Sequence, residues 1–263
     1  MQPKPIIILA GLDDPAPEWL VKARATLDTA YSLRAHSTRA GYVSRLTDDR
    51  AALVLVDGDR DDWAFWTATP KSSPATRRIP VFLIASQPDA LRDAARRAGA
   101  DQVIDPATFS ARAGELVAAH ARVFDPARAE QLDCDCQQPL PPLAEQGVAQ
   151  FNAGEFYRQH DLFEELWMAT EGPVRDLYRA ILQVGVAYYQ ILRGNHRGAR
   201  KMLMRSVQWL AVLPDQCQGI DVAALREDSY RVRAALEALP EDAIDQFDRA
   251  LLQPVKRIPP DAE

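Results

Sequence analysis

The sequence predicts two folds in succession: a doubly wound α/β domain with a five-stranded parallel sheet over residues 1–124, and an all-α helical bundle over 144–263. Three observations carry this. Short Ile- and Val-rich runs alternate with helix-length stretches in the first half, as burial of a parallel sheet on both faces requires. After Ala144 no strand pattern outcompetes a helical one. Between the two, residues 125–143 hold four prolines, several acids and no usable periodicity, which predicts an extended, semi-rigid linker.

The strands, in order, are PIIILAG (5–11), a weaker YSLRA (31–35) nearer an edge, AALVLVDGD (51–59), IPVFLIAS (79–86) and DQVID (101–105). Helix-length pieces fall at 16–29, 38–47, 88–98 and 107–122. In the third of these, Leu91, Ala94, Ala95 and Ala98 share one face. Pro88 opens it and Gly99 follows it, the usual start and stop asymmetry. In the second half the predicted helices are 144–169, broken near Asn152–Gly154, then 173–193, 195–213, 221–239 and 241–252. Leu177, Ile181, Val184, Tyr188 and Ile191 form one apolar stripe, and Tyr178, Leu182, Gly185, Tyr189 and Leu192 a second beside it. A helix apolar over so much of its circumference belongs at the centre of a bundle. Asn195 and Asp221 are placed to cap the helices that follow them.

Composition narrows the function classes. With 47% apolar and 26% charged residues the chain is neither disordered nor fibrous. The longest apolar run, IIILA, falls far short of the roughly 20 residues that span a bilayer. The N-terminus MQPKP lacks the apolar segment of a secretory signal. Three cysteines are too few for a disulfide framework and fit a reducing cytoplasm. Cys134-x-Cys136 reads as incidental, since two thiolates cannot fill a zinc shell. Residues 1–130 hold 17 basic and 17 acidic side chains, so the remainder carries the whole net charge of −6. Neither half is basic enough to suggest a nucleic-acid protein. The expectation is a cytoplasmic protein with no membrane and no nucleic-acid partner.

In the first half, LVLVDGD with Asp57, then RRIPVFLIAS, then RRAGADQVIDP, in that order, resemble the receiver domain of bacterial response regulators over about residues 4–122. The resemblance implies a flavodoxin-like fold and phosphoryl transfer to an aspartate. That chemistry needs acids after the first strand to hold Mg²⁺, a hydroxyl after the fourth strand and a lysine after the fifth. Asp57 stands in the acceptor position. Ala10-Gly11 replaces the acidic pair, with Asp13 and Asp14 coming later. Ala85 matches the hydroxyl position, with Ser86 one step on, and Asp105 replaces the lysine. Two readings follow: a phosphorylatable Asp57 with an unusual metal site of Asp13, Asp14 and Asp57, or a pseudo-receiver in which Asp57 is a vestigial acceptor.

In the second half, Phe151-Asn152, Phe156-Tyr157, His160, Glu164, Trp167, Gln183, Gly194-Asn195 and Gly198 follow the pattern of the domain-of-unknown-function 309 family, over roughly 145–240. The resemblance implies a compact helical fold and no established activity. His160 and Glu164 are four apart, within or at the edge of the apolar stripe of Phe156, Phe163 and Trp167, where a carboxylate must be paired. They read as a structural hydrogen-bond network, as the anchors of a small-molecule pocket with Trp167, Gln183 and Tyr189, or as an acid–base or metal site. One His and one Glu supply only two ligands, so no metal is expected. Arg193, Arg197, Lys201 and Arg205 form a basic run that is either a solvated face or an anion-binding or acidic-partner site.

The expected role is non-enzymatic. The first domain would dock a protein partner or self-associate, and the helical domain would present a pocket or groove. No cofactor is expected. The alternative is a small-ligand sensor or an enzyme using a His160/Glu164 pocket.

Overall fold

The computed structural model describes residues 4–12, 16–123 and 125–258. The chain divides into two compact units, 1–123 and 124–263.

In the first unit, β1 (Ile6–Ala10), β2 (Ser32–His36), β3 (Leu53–Asp57), β4 (Val81–Ile84) and β5 (Gln102–Ile104) form one parallel sheet in the order β2-β1-β3-β4-β5. The helices are α1 (Glu18–Ala30), α2 (Tyr42–Asp48), α3 (Trp63–Ser72), α4 (Pro88–Ala98) and α5 (Pro106–His120). This is the flavodoxin-like strand order, which reverses direction between β1 and β3. Alternate strand residues feed two cores. Ile7, Leu9, Leu55 and Phe82 meet Trp19, Leu27, Phe109 and Val117 of α1 and α5. Ile8, Val54, Val56 and Leu83 meet Tyr42, Leu46 and Trp66 of α2 and α3. Both-face burial explains the unbroken apolar runs. β2 lies at an edge, with Arg34 and Ala35 exposed.

Helix α3 was not expected. Its sequence WAFWTATPKS has Pro70 inside and no amphipathic repeat, yet Trp66 is fully buried and anchors it. α2 is shorter than expected, because Gly41 at φ 67° breaks the helical path before Tyr42.

The second unit holds α6 (Pro126–Cys136), α7 (Pro142–Asn152), α8 (Phe156–Ala169), α9 (Arg175–Leu192), α10 (His196–Leu210), β6 (Gln216–Cys217), β7 (Ile220–Asp221) and α11 (Val222–Ala238). Two 3-10 turns follow, Glu241–Gln246 and Arg249–Leu251. α9 is central, with Leu177, Ile181, Val184 and Tyr188 wholly buried, and α8 and α10 pack on it.

Three expectations need correction. The stretch read as an extended linker carries α6. Asp125 caps it, accepting from the Ala127 N–H at 3.0 Å, and Pro126 opens it, the same Asp-Pro start that opens α5. Leu132 and Leu140 sink into the helical core, and Cys136 is bonded to Cys217 across 81 residues, so the stretch belongs to the bundle. A short antiparallel hairpin, β6–β7, appears where only helix was expected. Gln218 and Gly219, both at positive φ, turn it. Finally, 241–252 forms 3-10 turns, not an α-helix. None of residues 241–246 is buried, and Phe247 is the anchor.

The chain after the second turn folds back. The Val255 N–H donates to Asn152 Oδ1 at 2.8 Å, and Asn152 Nδ2 donates to the Val255 carbonyl at 2.9 Å. The Asp221 N–H donates to the Lys256 carbonyl, and the Ile258 N–H to that of Gly219. The Asn152 of the Phe-Asn pattern thus has a structural task.

Candidate functional site

At the carboxyl ends of the strands in the first unit, Asp57 ends β3. Its half-buried side chain accepts from the Asp59 N–H at 3.0 Å, and burial pushes its pKa up. Asp59 takes the hydroxyl of Ser86: its carboxylate accepts from Ser86 Oγ at 2.5 Å and from the Ser86 N–H at 2.9 Å. Asp105 follows β5 and caps α5, accepting from the Thr108 N–H at 2.8 Å, and the hydrogen bonds from Thr108 hold its pKa down. At the end of β1, Gly11 has φ 70°, and a Cβ there would lie 2.7 Å from Cδ1 of the Trp66 ring. Trp66 Nε1 donates to Asp62 Oδ2 at 2.8 Å. Burial would raise Asp62, but hydrogen bonds from Trp66, Arg39 and Arg60 bring it below the usual carboxylate range.

A receiver-type Mg²⁺ needs carboxylates after β1 beside the acceptor aspartate. Glycine stands there, backed by an indole ring, and among the described residues no three metal-ligand side chains cluster. The described residues do not fit the ion. Asp13 and Asp14, the other expected ligands, lie outside the described residues.

At the β2 edge, His36 is buried, with Nε2 2.7 Å from Asp49 Oδ2, and Arg34 pairs with the same carboxylate. Its Nδ1 has no partner. Burial lowers its pKa, outweighing the bond to Asp49. Sequence reasoning missed this group, since a lone His and a distant Asp carry no motif.

In the second unit the expected pair is not a pair. His160 is about one-third exposed, and its Nδ1 lies 3.1 Å from Asp161 Oδ1. Glu164 is exposed, and no hydrogen bond joins it to His160 among the described residues. The buried polar side chain of α8 is Gln159, wholly enclosed, whose Nε2 donates to the Phe156 carbonyl at 3.0 Å. Gly185 makes room for it: a Cβ there would lie 2.8 Å from Gln159 Cδ.

Trp167 and Gln183 are brought together by two residues the sequence did not flag. The Arg179 guanidinium lies 4.5 Å from the centre of the Trp167 ring and 4.0 Å from that of Trp209. Trp209 Nε1 donates to Gln183 Oε1 at 3.2 Å. Arg175 lies over Trp167 at 5.4 Å. Trp167 Nε1 and Arg175 Nε are buried donors without an acceptor. Tyr189 packs on Tyr157, ring centres 5.6 Å apart. The spacing of 175, 179, 183 and 186 along α9 marks its half-open strip, met by Trp167 of α8 and Trp209 of α10. Arg193, Arg197 and Lys201 are exposed.

Among the described residues no helix is long and apolar enough to cross a membrane. Comparison with known proteins gives three findings. Residues 144–202 match the family described as Domain of unknown function (DUF309). An uncharacterized protein of Aquifex aeolicus (strain VF5) is 26% identical over 77 residues, which cover 29% of this chain and 23% of that protein's length. Among solved structures, a response regulator receiver domain protein (CheY-like) from Methanospirillum hungatei JF-1 aligns with TM-score 0.34 and 15% identity, over 45% of this chain and 97% of that one. Residues 144–202 are thus similar to the domain-of-unknown-function 309 family.

Proposed function

We propose that this chain is a non-enzymatic signalling or interaction protein. Its α/β unit keeps a receiver-type architecture without taking a phosphoryl group, and its helical unit binds a partner through the face of α8, α9 and α10. The observation that carries the first part is the Trp66 ring packed against Gly11, where the metal's carboxylates would be needed. Electrostatics support it. A phosphoryl group adds roughly 1.5–2 negative charges. On Asp57 it would meet Asp59 nearby and an aspartate, Asp105, at the end of β5 in place of a lysine. Incubation with acetyl phosphate and Mg²⁺, followed by intact-mass measurement, is expected to show no phosphorylation of Asp57. A mass gain that disappears in Asp57→Asn overturns the reading.

A small-ligand sensor is the second reading, favoured by the two buried donors Trp167 Nε1 and Arg175 Nε, which an acceptor-bearing ligand would satisfy. An acid–base role for His160 with Glu164 has no support, because the two side chains are not joined. The chain is read as cytoplasmic. In that compartment Cys136–Cys217 would be held only transiently.

A further inference from the structure

We propose that Cys136 and Cys217 are a reversible redox site, and that reduction of their disulfide releases α6 from the helical unit. Little else holds this helix. Leu132 is its one buried residue. Its inner stripe runs Arg128, Leu132, Cys136, four positions apart. Arg128 Nη2 lies 3.6 Å from Asp176 Oδ2, but the Arg128 side chain is 46% exposed, so water weakens the pair. Leu132 adds a single apolar anchor, and Cys136 ends the stripe with a covalent bond. Gln218 donates its N–H to the Cys136 carbonyl at 2.7 Å and Nε2 to the Asp135 carbonyl at 3.3 Å. Both bonds reach only the carboxyl end of α6. By itself α6 is a poor helix. It has eleven residues, short of the roughly 12–15 at which isolated helices are still marginal in water. Asp133 and Asp135 stand in its last turn, against the negative end of the helix dipole, with no basic residue there to offset them.

The bond is within reach of a reductant. Cys136 is half-buried and Cys217 is enclosed, so a thiolate arriving from solvent meets Cys136. An external dithiol supplies both electrons. One of its thiolates attacks the Cys136 sulfur, forming a mixed disulfide, and Cys217 leaves as a thiolate that takes up a proton. The second thiolate of the dithiol then attacks the dithiol's own sulfur in the mixed disulfide. Cys136 leaves, is protonated, and the dithiol departs as a disulfide. Exchange with a disulfide oxidant runs the sequence in reverse. In a reducing compartment, a bond of this kind is transient and suited to redox sensing.

Release of α6 changes the length of chain between the two units. With α6 docked, residues 121–125 separate it from α5. With α6 released, the separation runs over 121–139, because Leu140 is the next residue sunk in the helical core. A longer tether lowers the effective concentration that either unit presents to a partner held by the other. The redox state of one bond thereby sets how closely the receiver-like unit and the helical unit are coupled.

The test is hydrogen–deuterium exchange of the full chain read by mass spectrometry: oxidised, treated with excess dithiothreitol, and reoxidised with glutathione disulfide. Amides of residues 129–136 are expected to exchange at least about tenfold faster in the reduced chain and to regain protection on reoxidation. Peptides from α9 and from the α/β unit are expected to stay protected at labelling times that exhaust α6. Cys136→Ser with Cys217→Ser is expected to show the reduced pattern with and without reductant. Cys134→Ser is expected to switch as the parent does. Equal protection of α6 in both redox states overturns the proposal. So does a bond that dithiothreitol opens only in denaturant. Loss of protection in α9 together with α6 overturns it as well, since reduction would then melt the whole unit. A response that disappears in Cys134→Ser overturns the assignment of the couple.

Discussion

Cys136 and Cys217 join α6 to the β6–β7 hairpin across 81 residues. Breaking the bond frees the unfolded chain to explore conformations that the closed loop forbids. In the chain-entropy treatment a loop of 81 residues corresponds to about 4.5 kcal/mol at 25 °C. Cys217 is buried, and Gln218 beside it donates its N–H to the Cys136 carbonyl at 2.7 Å, so the hairpin keeps non-covalent ties when the bond opens. The measured loss should therefore lie between about 2 and 4.5 kcal/mol. Urea unfolding of the full chain, followed by far-ultraviolet circular dichroism with and without reductant, is expected to move the helical unit's transition to lower urea. Cys136→Ala with Cys217→Ala should match the reduced protein under both conditions. Thiol titration of the denatured, unreduced chain should find one free thiol, Cys134. Three thiols, or reduced and oxidised transitions within about 0.5 kcal/mol, would refute the reasoning.

Three further outcomes are expected. Gly11→Ala forces a side chain to φ 70° and into the Trp66 ring, and should cost about 2–4 kcal/mol in urea unfolding of the α/β unit; a loss under about 0.5 kcal/mol would show that the ring moves aside freely. Asp105→Ala removes the cap of α5 and should cost about 0.5–2 kcal/mol by the same measurement, whereas unchanged stability would mean that the Thr108 N–H finds water at no cost. His36, with its pKa lowered by burial, binds a proton more readily unfolded than folded, so stability should fall as pH drops below about 6.5 and level off below the folded value. His36→Gln should flatten that dependence in urea midpoints between pH 7 and 5, and a native protein that gains stability on acidification over this range would reverse the sign.

The parallel strands were legible because a sheet buried on both faces writes itself as a continuous apolar run, as in Leu53–Val56 and Val81–Ile84. α9 was legible for the same reason, being enclosed nearly all round. α3 was not, since Pro70 and a mixed Trp-Thr sequence give no period, and packing of Trp66 decides the matter. α6 was hidden by the prolines after it, although Asp125-Pro126 carried the same start signal as Asp105-Pro106. The polar pair shows the limit of reading one helix alone. Spacing placed His160 and Glu164 at the margin of the apolar stripe. Which margin is covered depends on where α9 lies, and it is Gln159, one residue away, that α9 encloses with the help of Gly185. Arg179 and Trp209 went unnoticed because their stack joins residues 30 positions apart, on two different helices, with no motif between them.

The return of the chain end to Asn152 sets the smallest piece of the helical unit able to complete its own core. The stretch that matches the family ends at 202, yet Val255 and Phe247, at 2% and 5% exposure, are members of the same apolar cluster as Phe151 and Leu177. A fragment ending at 202, or even after α11, would leave the places of Phe247 and Val255 open to water. It would also leave both amide atoms of Asn152 without the backbone they bind. The packed helical unit extends to Ile258, whose N–H bonds to the Gly219 carbonyl. Boundaries taken from sequence similarity alone therefore fall some fifty residues short of the boundary set by packing.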